Sequence, residues 1–209
     1  MTLFEVVRDD VCVPFSYASE SSSTGSRIGG NPPRNAVSTF DRKFQKYFGT
    51  IEFDGGSAVS IFYSFDIYGN DEQRDIISYN NQPLYPSELI HAVIHESGAA
   101  TEDSDISAEV SCHRIVFDQS RSDIAEQDGN VPYTHSKIGG TPFVDNVSRV
   151  GQAFEQLLKL GFKQLIQFGT PNPRTHGFVN GFPWDPGWLH VLVRGTNFDN
   201  CDFAFVIQQ

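Results

Sequence analysis

Two stretches of sequence share one pattern and decide the fold: SRIGGNPP at residues 26–33 and SKIGGTPF at residues 136–143. Both read Ser, a basic residue, Ile, two glycines, one variable residue and Pro. Paired glycines allow positive φ or a close approach of two backbones, and Pro is confined to the edges of sheets. We therefore predict two structural corners, built by Ser26, Arg27, Gly29 and Gly30 and by Ser136, Lys137, Gly139 and Gly140.

Similar features surround the two stretches in the same order. A strand-like run precedes each stretch, and an amphipathic pattern at helical spacing follows it. The apolar stripes predict a first helix over residues 37–48 and a second helix that ends at Gly161. Asp145 or Asn146 is the expected N-cap of the second helix.

Three predicted strands follow each helix. They are TIEFD, GGSAVSIFYSF and RDIISYN in the first copy, and LIQFG, PGWLHVLVRG and DFAFVIQQ in the second. In this alignment Glu52 corresponds to Gln167, and the repeated order predicts an internal duplication. The expected fold is a single compact α+β domain over residues 1–209. It has a largely antiparallel twisted sheet, a few helices, and pseudo-repeated halves at about 1–88 and 89–209.

Composition limits the partners that this chain can bind. The 209 residues include 39% hydrophobic residues and 18 Phe, enough for one sizeable aromatic core. The formal net charge of −11 argues against nucleic acid as a partner, because a polyanion is bound by a basic surface. Nine acidic residues but only two arginines lie between Glu96 and Asp128. Such a segment is typical either of a solvated connector or of a surface that recognises a basic protein.

Three features of the sequence predict a cytoplasmic protein with no membrane partner. The first residues, MTLFEVVRDD, lack both the basic and the apolar region of a secretory signal. No apolar run approaches the roughly 20 residues that span a bilayer. Cys12, Cys112 and Cys201 are far apart and lack metal-binding spacing, so we expect free thiols in a reducing compartment.

No established catalytic motif occurs in the sequence. His91 and His95 have the spacing of helical metal ligands, but no third ligand is nearby, and HAVIHES also alternates as a strand does. His113 and His190 lie singly in strand-like runs. The glycine pairs lack the spacing of a phosphate-binding loop. We therefore predict a non-catalytic protein that has neither a metal ion nor another cofactor.

The segment TPNPRTHGFVNGFPWDPGW, residues 170–188, is a long insertion relative to the first copy, and we call it the aromatic loop. Ordered loops of this composition are often functional. Their aromatic side chains are candidates for stacking on a sugar or for anchoring a protein partner. The alternative is that the rings fold back and cover the sheet.

Four segments of the second half form a distinctive closing pattern: HSKIGGTPF, LIQF, WDPGWLHVLV and FDNCDFAFVIQQ. With the first stretch, they resemble the YwqG-like domain family over about residues 24–209. Trp184, Asp185 and Gly187 match most of that family's Trp-Gly-Asp-x-Gly turn, whereas Glu52 departs from a usual Gln. The resemblance implies a compact α+β fold of two related halves. Some members of the family resemble immunity proteins encoded beside bacterial toxins.

We therefore expect an acidic immunity protein, or antitoxin, that binds the basic effector domain of a cognate toxin. Acidic side chains steer such an encounter, and aromatic side chains anchor it. The expected contact residues are Glu102, Asp103, Asp105, Asp118, Asp123, Glu126, Asp128, Phe178, Phe182, Trp184 and Trp188. Two alternatives stay open. One is a small-molecule or carbohydrate-binding protein that uses the aromatic loop, and the other is an enzyme that uses His91, His95 or His190.

Overall fold

In a computed structural model, the chain folds around one curled β-sheet. The structure describes residues 7–37, 44, 46–64, 83–102, 105–106, 108–123, 135–144, 150–184, 187–197 and 200–208. The strands in these residues are β1 (Val11–Tyr17), β2 (Arg27–Ile28), β3 (Lys46–Phe53), β4 (Ser57–Tyr63), β5 (Ile90–Glu96), β6 (His113–Phe117), β7 (Arg121–Ser122), β8 (Ser136–Gly139), β9 (Lys163–Gly169), β10 (Trp188–Asn197) and β11 (Asn200–Gln208). The helices in these residues are α1 (Arg34–Val37) and α2 (Val150–Lys159).

The strand order interleaves the beginning and the middle of the chain. Across the sheet it runs β11–β10–β9–β8–β1–β6–β2–β3–β4–β5, with β7 beside β1. β1 pairs with β8, with Val13 opposite Ile138, and β6 pairs with β2, with His113 opposite Ile28. Each strand that carries a Ser-basic-Ile phrase therefore lies beside the strand that precedes the other phrase. All of these pairings are antiparallel.

The two edges of the sheet come close to each other around one core. Leu84, just before β5, exchanges two backbone hydrogen bonds with Phe205 of β11, at 2.9 and 3.2 Å. In the interior, the rings of Phe48 from β3 and Phe168 from β9 have their centroids 5.0 Å apart. The inner core takes side chains from both ends of the sheet. The chain is thus a single compact domain whose sheet nearly closes on itself.

The predicted largely antiparallel sheet is confirmed, but the balance of the fold differs from an α+β domain. In the described residues the sheet dominates, and α1 and α2 are its two helices. α2 lies against β10 and β11 on the outer face of the sheet, where it forms a separate small cluster with their side chains. α1 lies near a similar cluster outside β3, β4 and β5.

The first predicted helix, over residues 37–48, is wrong at its C-terminal end, and residues 38–43 and 45 lie outside the described part of the chain. α1 ends at Val37, Phe40 lies outside the described residues, and Phe48 belongs to β3. A register shift between Tyr47 and Gly49 turns Phe48 into the inner core, whereas Tyr47 packs on the outer face. Phe48 therefore matched the apolar spacing of a helix although it lies in a strand.

The second predicted helix is confirmed as α2, and Gly161 ends it with φ of 86°. The N–H of Gly161 donates to the carbonyl of Leu158 at 2.9 Å, and that of Phe162 donates to Leu157 at 3.0 Å. These two hydrogen bonds form a Schellman C-cap. Two predictions lie outside the described residues, namely the N-cap at Asp145 or Asn146 and the strand at residues 74–80.

The strand registers change two details of the predicted alignment between halves. β5 pairs with β4 as β11 pairs with β10, although the predicted division of the chain lies ahead of β5. Thr50 lies opposite Arg27, and Gln167 lies opposite Lys137. Thr50, rather than Glu52, therefore has the register position of Gln167.

Both glycine pairs have the positive φ that the predicted corners require. The values are 65° and 70° at Gly29 and Gly30, and 69° and 72° at Gly139 and Gly140. The N–H of Gly29 also donates to the carbonyl of Phe48 at 2.7 Å. A Cβ atom on Gly29 would overlap two backbone carbonyl oxygens just before β6. The first corner therefore excludes any side chain at this position.

Gly29→Ala is expected to lower the free energy of unfolding more than Gly25→Ala. Gly25 has φ of 77°, but a Cβ atom there meets nothing within 4 Å. Its substitution therefore costs only the left-handed conformation, about 1–2 kcal/mol. At Gly29 the displaced backbone adds about 1–3 kcal/mol. Urea unfolding gives the free energy of unfolding of both variants. Equal losses would show that the close approach of the carbonyl oxygens to Gly29 does not matter for stability.

Candidate functional site

The acidic residues predicted to meet a partner have different surroundings. Glu102, Asp105 and Asp118 are exposed. The carbonyl of Glu102 accepts a hydrogen bond from Nδ2 of Asn31 at 3.1 Å, which ties this residue to the first corner. Asp103, Glu126 and Asp128 lie outside the described residues.

Asp123 is buried in an ion pair, so its predicted role as an exposed contact is corrected. Its carboxylate oxygens lie 2.9 and 2.8 Å from Nζ of Lys137, and Oδ2 accepts a hydrogen bond from the N–H of Thr141 at 2.6 Å. The two charged side chains are only 7% and 5% exposed. Burial acts to raise the pKa of Asp123, but Lys137 and Thr141 outweigh it and hold that pKa below its ordinary value. Asp123 therefore neutralises the second corner.

The first corner accommodates its basic side chain without a carboxylate contact in the described residues. Arg27 is fully buried. Its Nη1 donates to the carbonyl of Gly25 at 3.1 Å, and its Nη2 donates to the carbonyl of Asn31 at 3.2 Å. The same guanidinium thus binds the backbone on both sides of the glycine pair, which fixes the corner from within.

The aromatic loop packs on the sheet, and three of its rings are corrected as contacts for a partner. Trp184 and Trp188 have no exposed surface, and Phe182 is 5% exposed. Phe178 is half-buried. The rings of Trp184 and Phe48 have their centroids 4.3 Å apart, so the loop fills the interior of the curled sheet. The buried rings contribute to the core and are not available to another molecule at the surface.

Exposed apolar side chains lie at Leu158 and Leu160, on and just after α2, and at the end of β6, in what we call the Phe117 patch (Phe117 and Asp118). Val116 and Phe117 are 38% and 39% exposed, and Asp118 is exposed as well. The ring of Phe117 contacts Phe15 edge-on with centroids 6.0 Å apart, which holds it in place. The signal in the sequence is a pair of adjacent apolar residues at the end of a strand, and because a strand directs neighbours to opposite faces, Val116 does not extend the patch.

The histidines with metal-ligand spacing lie on a strand rather than on a helix. His91 and His95 both belong to β5. The ring of His91 stacks on Phe44 with centroids 5.1 Å apart. Within the described residues, no group of three or more His, Cys, Asp and Glu side chains is arranged to hold a metal ion. The helical spacing of the two histidines is therefore not realised in the structure.

A row of hydrogen bonds crosses the outer face of β3, β4 and β5. It links Tyr47 Oη to Thr50 Oγ1 at 2.6 Å, Thr50 Oγ1 to Ser60 Oγ at 2.7 Å, and Ser60 Oγ to His95 Nε2 at 2.8 Å. His95 Nδ1 donates to the carbonyl of Glu96 at 2.7 Å, and burial lowers the pKa of His95. A hydroxyl beside an imidazole is the pair that nucleophilic catalysis uses. Here the hydroxyl of Ser60 is fully buried and shared with Thr50, so the row joins strands.

A second row of buried polar groups joins β8, β9 and β10 on the outer face of the sheet. His190 Nδ1 lies 3.1 Å from Gln164 Oε1, and Gln164 Nε2 donates to the carbonyl of Gly139 at 3.0 Å. Phe154 of α2 covers the His190 ring edge-on, with centroids 4.8 Å apart. Burial and the charge of Lys137 lower the pKa of His190 to about 3, so its ring is neutral near pH 7. Sequence reasoning placed His190 on a strand but did not indicate its burial.

Comparison of the chain with family models, curated proteins and solved structures finds no match. None of the described helices has both the length and the apolar character of a membrane-spanning segment. The function is therefore inferred from the exposed patch, the charges and the buried polar rows of the chain itself.

Asp123→Asn is expected to destabilise the fold by about 3–5 kcal/mol at pH 7, because Lys137 stays buried without its carboxylate. The folded-state pKa of Asp123 lies below the unfolded value of about 3.9. The pair therefore stabilises the fold above that pH and loses its contribution as the pH falls through the folded-state pKa. The difference in urea midpoint between wild type and variant should narrow from about pH 7 to about pH 2.5. The exposed control Asp118→Asn should differ little from wild type, and a pH-independent gap for Asp123→Asn would contradict the pairing.

His190 is expected to make stability fall as the solution becomes acidic. Its folded-state pKa of about 3 lies below the unfolded value of about 6.5, so the unfolded chain binds one more proton between these values. The free energy of unfolding should then decrease by up to about 1.4 kcal/mol per pH unit below about pH 6.5. His190→Phe should remove this pH dependence of the free energy of unfolding. His176→Phe, at a half-buried site, should retain most of the pH dependence. An unchanged slope in His190→Phe, measured by urea unfolding, would show that the ring is not held neutral.

Proposed function

We propose that this chain is a non-catalytic, acidic immunity protein of the cytoplasm that binds and neutralises the basic effector domain of a cognate toxin. The observation that carries the proposal is the Phe117 patch, which joins exposed apolar surface to an exposed carboxylate. Burying an aromatic side chain in a partner supplies binding energy, and a neighbouring carboxylate favours a basic partner surface.

The charge of the chain supports a basic partner. The formal net charge is −11, and Glu102, Asp105 and Asp118 are exposed to solvent. Attraction between opposite charges acts over a distance and raises the association rate, so these carboxylates do not all have to touch the partner. Among the described residues of the original set, Asp123 and the three buried rings leave the contact surface, and the Phe117 patch takes the place of the anchor.

We also propose that the fold consists of two duplicated halves and belongs with the YwqG-like proteins that the sequence resembles. The strands β2 to β5 and β8 to β11 succeed one another in the same order on either side of the central β1–β6 pair, which supports the duplication. The serines of the two phrases also act alike. Ser26 Oγ accepts the N–H of Glu52 at 2.8 Å, and Ser136 Oγ accepts the N–H of Gly169 at 2.9 Å.

The decisive experiment is binding to the product of the neighbouring gene. Complexes of this kind have binding free energies on the order of −12 kcal/mol or better. Phe117→Ala is expected to weaken binding by about 2 kcal/mol or more, which is about 30-fold. Asp118→Asn is expected to slow association at low salt and to have less effect at high salt. Leu158→Ala removes a comparably exposed apolar side chain from α2, at 48% exposure, and should leave binding unchanged.

Two results would contradict the proposal at different levels. A neighbouring product that is not toxic, or that does not bind the chain at high dilution, would exclude the immunity function. Tight binding that survives both Phe117→Ala and Asp118→Asn would keep the function and exclude the Phe117 patch as its surface. Urea unfolding of each variant separates loss of binding from loss of the fold.

A further inference from the structure

The two buried polar rows on the outer face occupy equivalent registers but differ in how well they are satisfied. Ser60 of β4 lies opposite Thr50 of β3, and His190 of β10 lies opposite Gln167 of β9. Each residue is on the middle strand of its three-strand group. Ser60 and His190 therefore have equivalent positions in the two halves of the sheet, and this equivalence does not depend on the proposed immunity function.

In the row of the N-terminal half, the polar side chains satisfy one another. The hydroxyl of Ser60 is bonded to Thr50 and to His95 Nε2. The other nitrogen of His95 bonds to the carbonyl of Glu96. These three side chains are therefore paired with one another, and in the described residues the buried atom without a hydrogen-bond partner beside them is Nε of Arg27, opposite Thr50.

In the row of the C-terminal half, the tautomer of His190 follows from its neighbour. Gln164 donates from Nε2 to the carbonyl of Gly139, so its Oε1 is the atom that faces His190. An amide oxygen only accepts, and His190 Nδ1 must therefore carry the proton. The second nitrogen, Nε2, is then an acceptor. It has no hydrogen-bond partner among the described residues.

Gln208 adds two more unsatisfied atoms beside His190. Neither Oε1 nor Nε2 of Gln208 has a hydrogen-bond partner in the described part of the chain. His190 has no exposed surface and Gln208 is 2% exposed. Gln208 lies opposite Trp188, two residues from His190 along β10, so the two polar side chains are on one face and diagonally adjacent. Buried polar groups in native proteins are normally paired, and three unpaired atoms at one place point to a ligand.

Aromatic rings lie around the His190 end of this group of polar atoms. Phe154 of α2 meets the His190 ring at 4.8 Å, and the Trp188 ring lies 6.5 Å from it, centroid to centroid. Phe143 lies 5.0 Å from Trp188. Apolar and aromatic walls with a few convergent polar atoms are the usual composition of a small-molecule site.

We propose that the outer face beneath α2 binds a small, uncharged, planar heterocycle through His190 and Gln208. The site offers two acceptors, His190 Nε2 and Gln208 Oε1, and one donor group, Gln208 Nε2. A complementary ligand edge has two donors and one acceptor, which is the pattern of a guanine-type base. A charged ligand is disfavoured because the nearby cation, Lys137, is already neutralised by Asp123. Entry requires α2 to move aside, since both polar side chains are buried.

Nucleosides test the proposal because they vary the hydrogen-bonding edge, and inosine also keeps the purine ring system of guanosine. Guanosine at about 100 times its dissociation constant is expected to raise the Tm by about 5–10 °C after prolonged incubation. Inosine lacks the exocyclic amino donor and should bind at least about 10-fold more weakly. Thymidine has one donor between two acceptors on the same edge and should give no shift. Calorimetric titration of the wild-type chain provides the dissociation constants.

Variants of the two rows locate the site. Gln208→Leu keeps the approximate size and removes both unsatisfied atoms, so it should fold at least as well as wild type and bind guanosine at least about 10-fold more weakly. Ser60→Ala alters the row of the N-terminal half and should leave guanosine binding unchanged. The proposal is overturned if guanosine does not raise the Tm of the wild-type chain. It is also overturned if inosine and thymidine raise the Tm as much as guanosine does. It is also overturned if Gln208→Leu binds guanosine as wild type does.

Discussion

The close approach of other groups to the backbone at the two glycine corners is the constraint on which the sheet depends. At Gly29 a side chain would overlap carbonyl oxygens just before β6, and at Gly140 it would overlap the carboxylate of Asp123. Each corner follows a strand whose Ile enters the inner core, so the preceding basic residue is directed to the opposite face. Arg27 and Lys137 are buried there as a consequence. The first is held by carbonyl groups and the second by a carboxylate.

Local signals in the sequence predicted the parts of the fold that depend on local chemistry. The glycine pairs, the strands around residues 50 and 190, and the glycine that ends α2 are all set by backbone conformation or by alternation over a few residues. The first helix was wrong at Phe48, which belongs to β3 and is turned into the inner core by a register shift. The match of Glu52 with Gln167 was wrong by two residues, since register depends on the partner strand and not on the strand alone.

Burial is where sequence and structure diverge most for the candidate site. Asp123 was expected at the surface and is buried, because its charge compensates Lys137 inside the second corner. Trp184 was expected to meet a partner and instead fills the space inside the curled sheet. Phe117 lies at the end of a short strand, where the core no longer covers it. None of these outcomes follows from residue type, because each depends on which distant segment comes to lie alongside.

The exchange of partners by β1 and β6 has a consequence for how the polypeptide becomes native. In the described residues β1 pairs with β6, β7 and β8, and β2 pairs with β6, so neither group of outer strands is complete until the middle of the chain has been made. Ribosomes add about 5–20 residues per second, so β1 waits on the order of ten seconds for β8 to emerge. Contacts between such distant segments also make closure of the sheet slow relative to helical proteins of similar size. The backbone hydrogen bonds of β1 are therefore completed late, when β8 has been made.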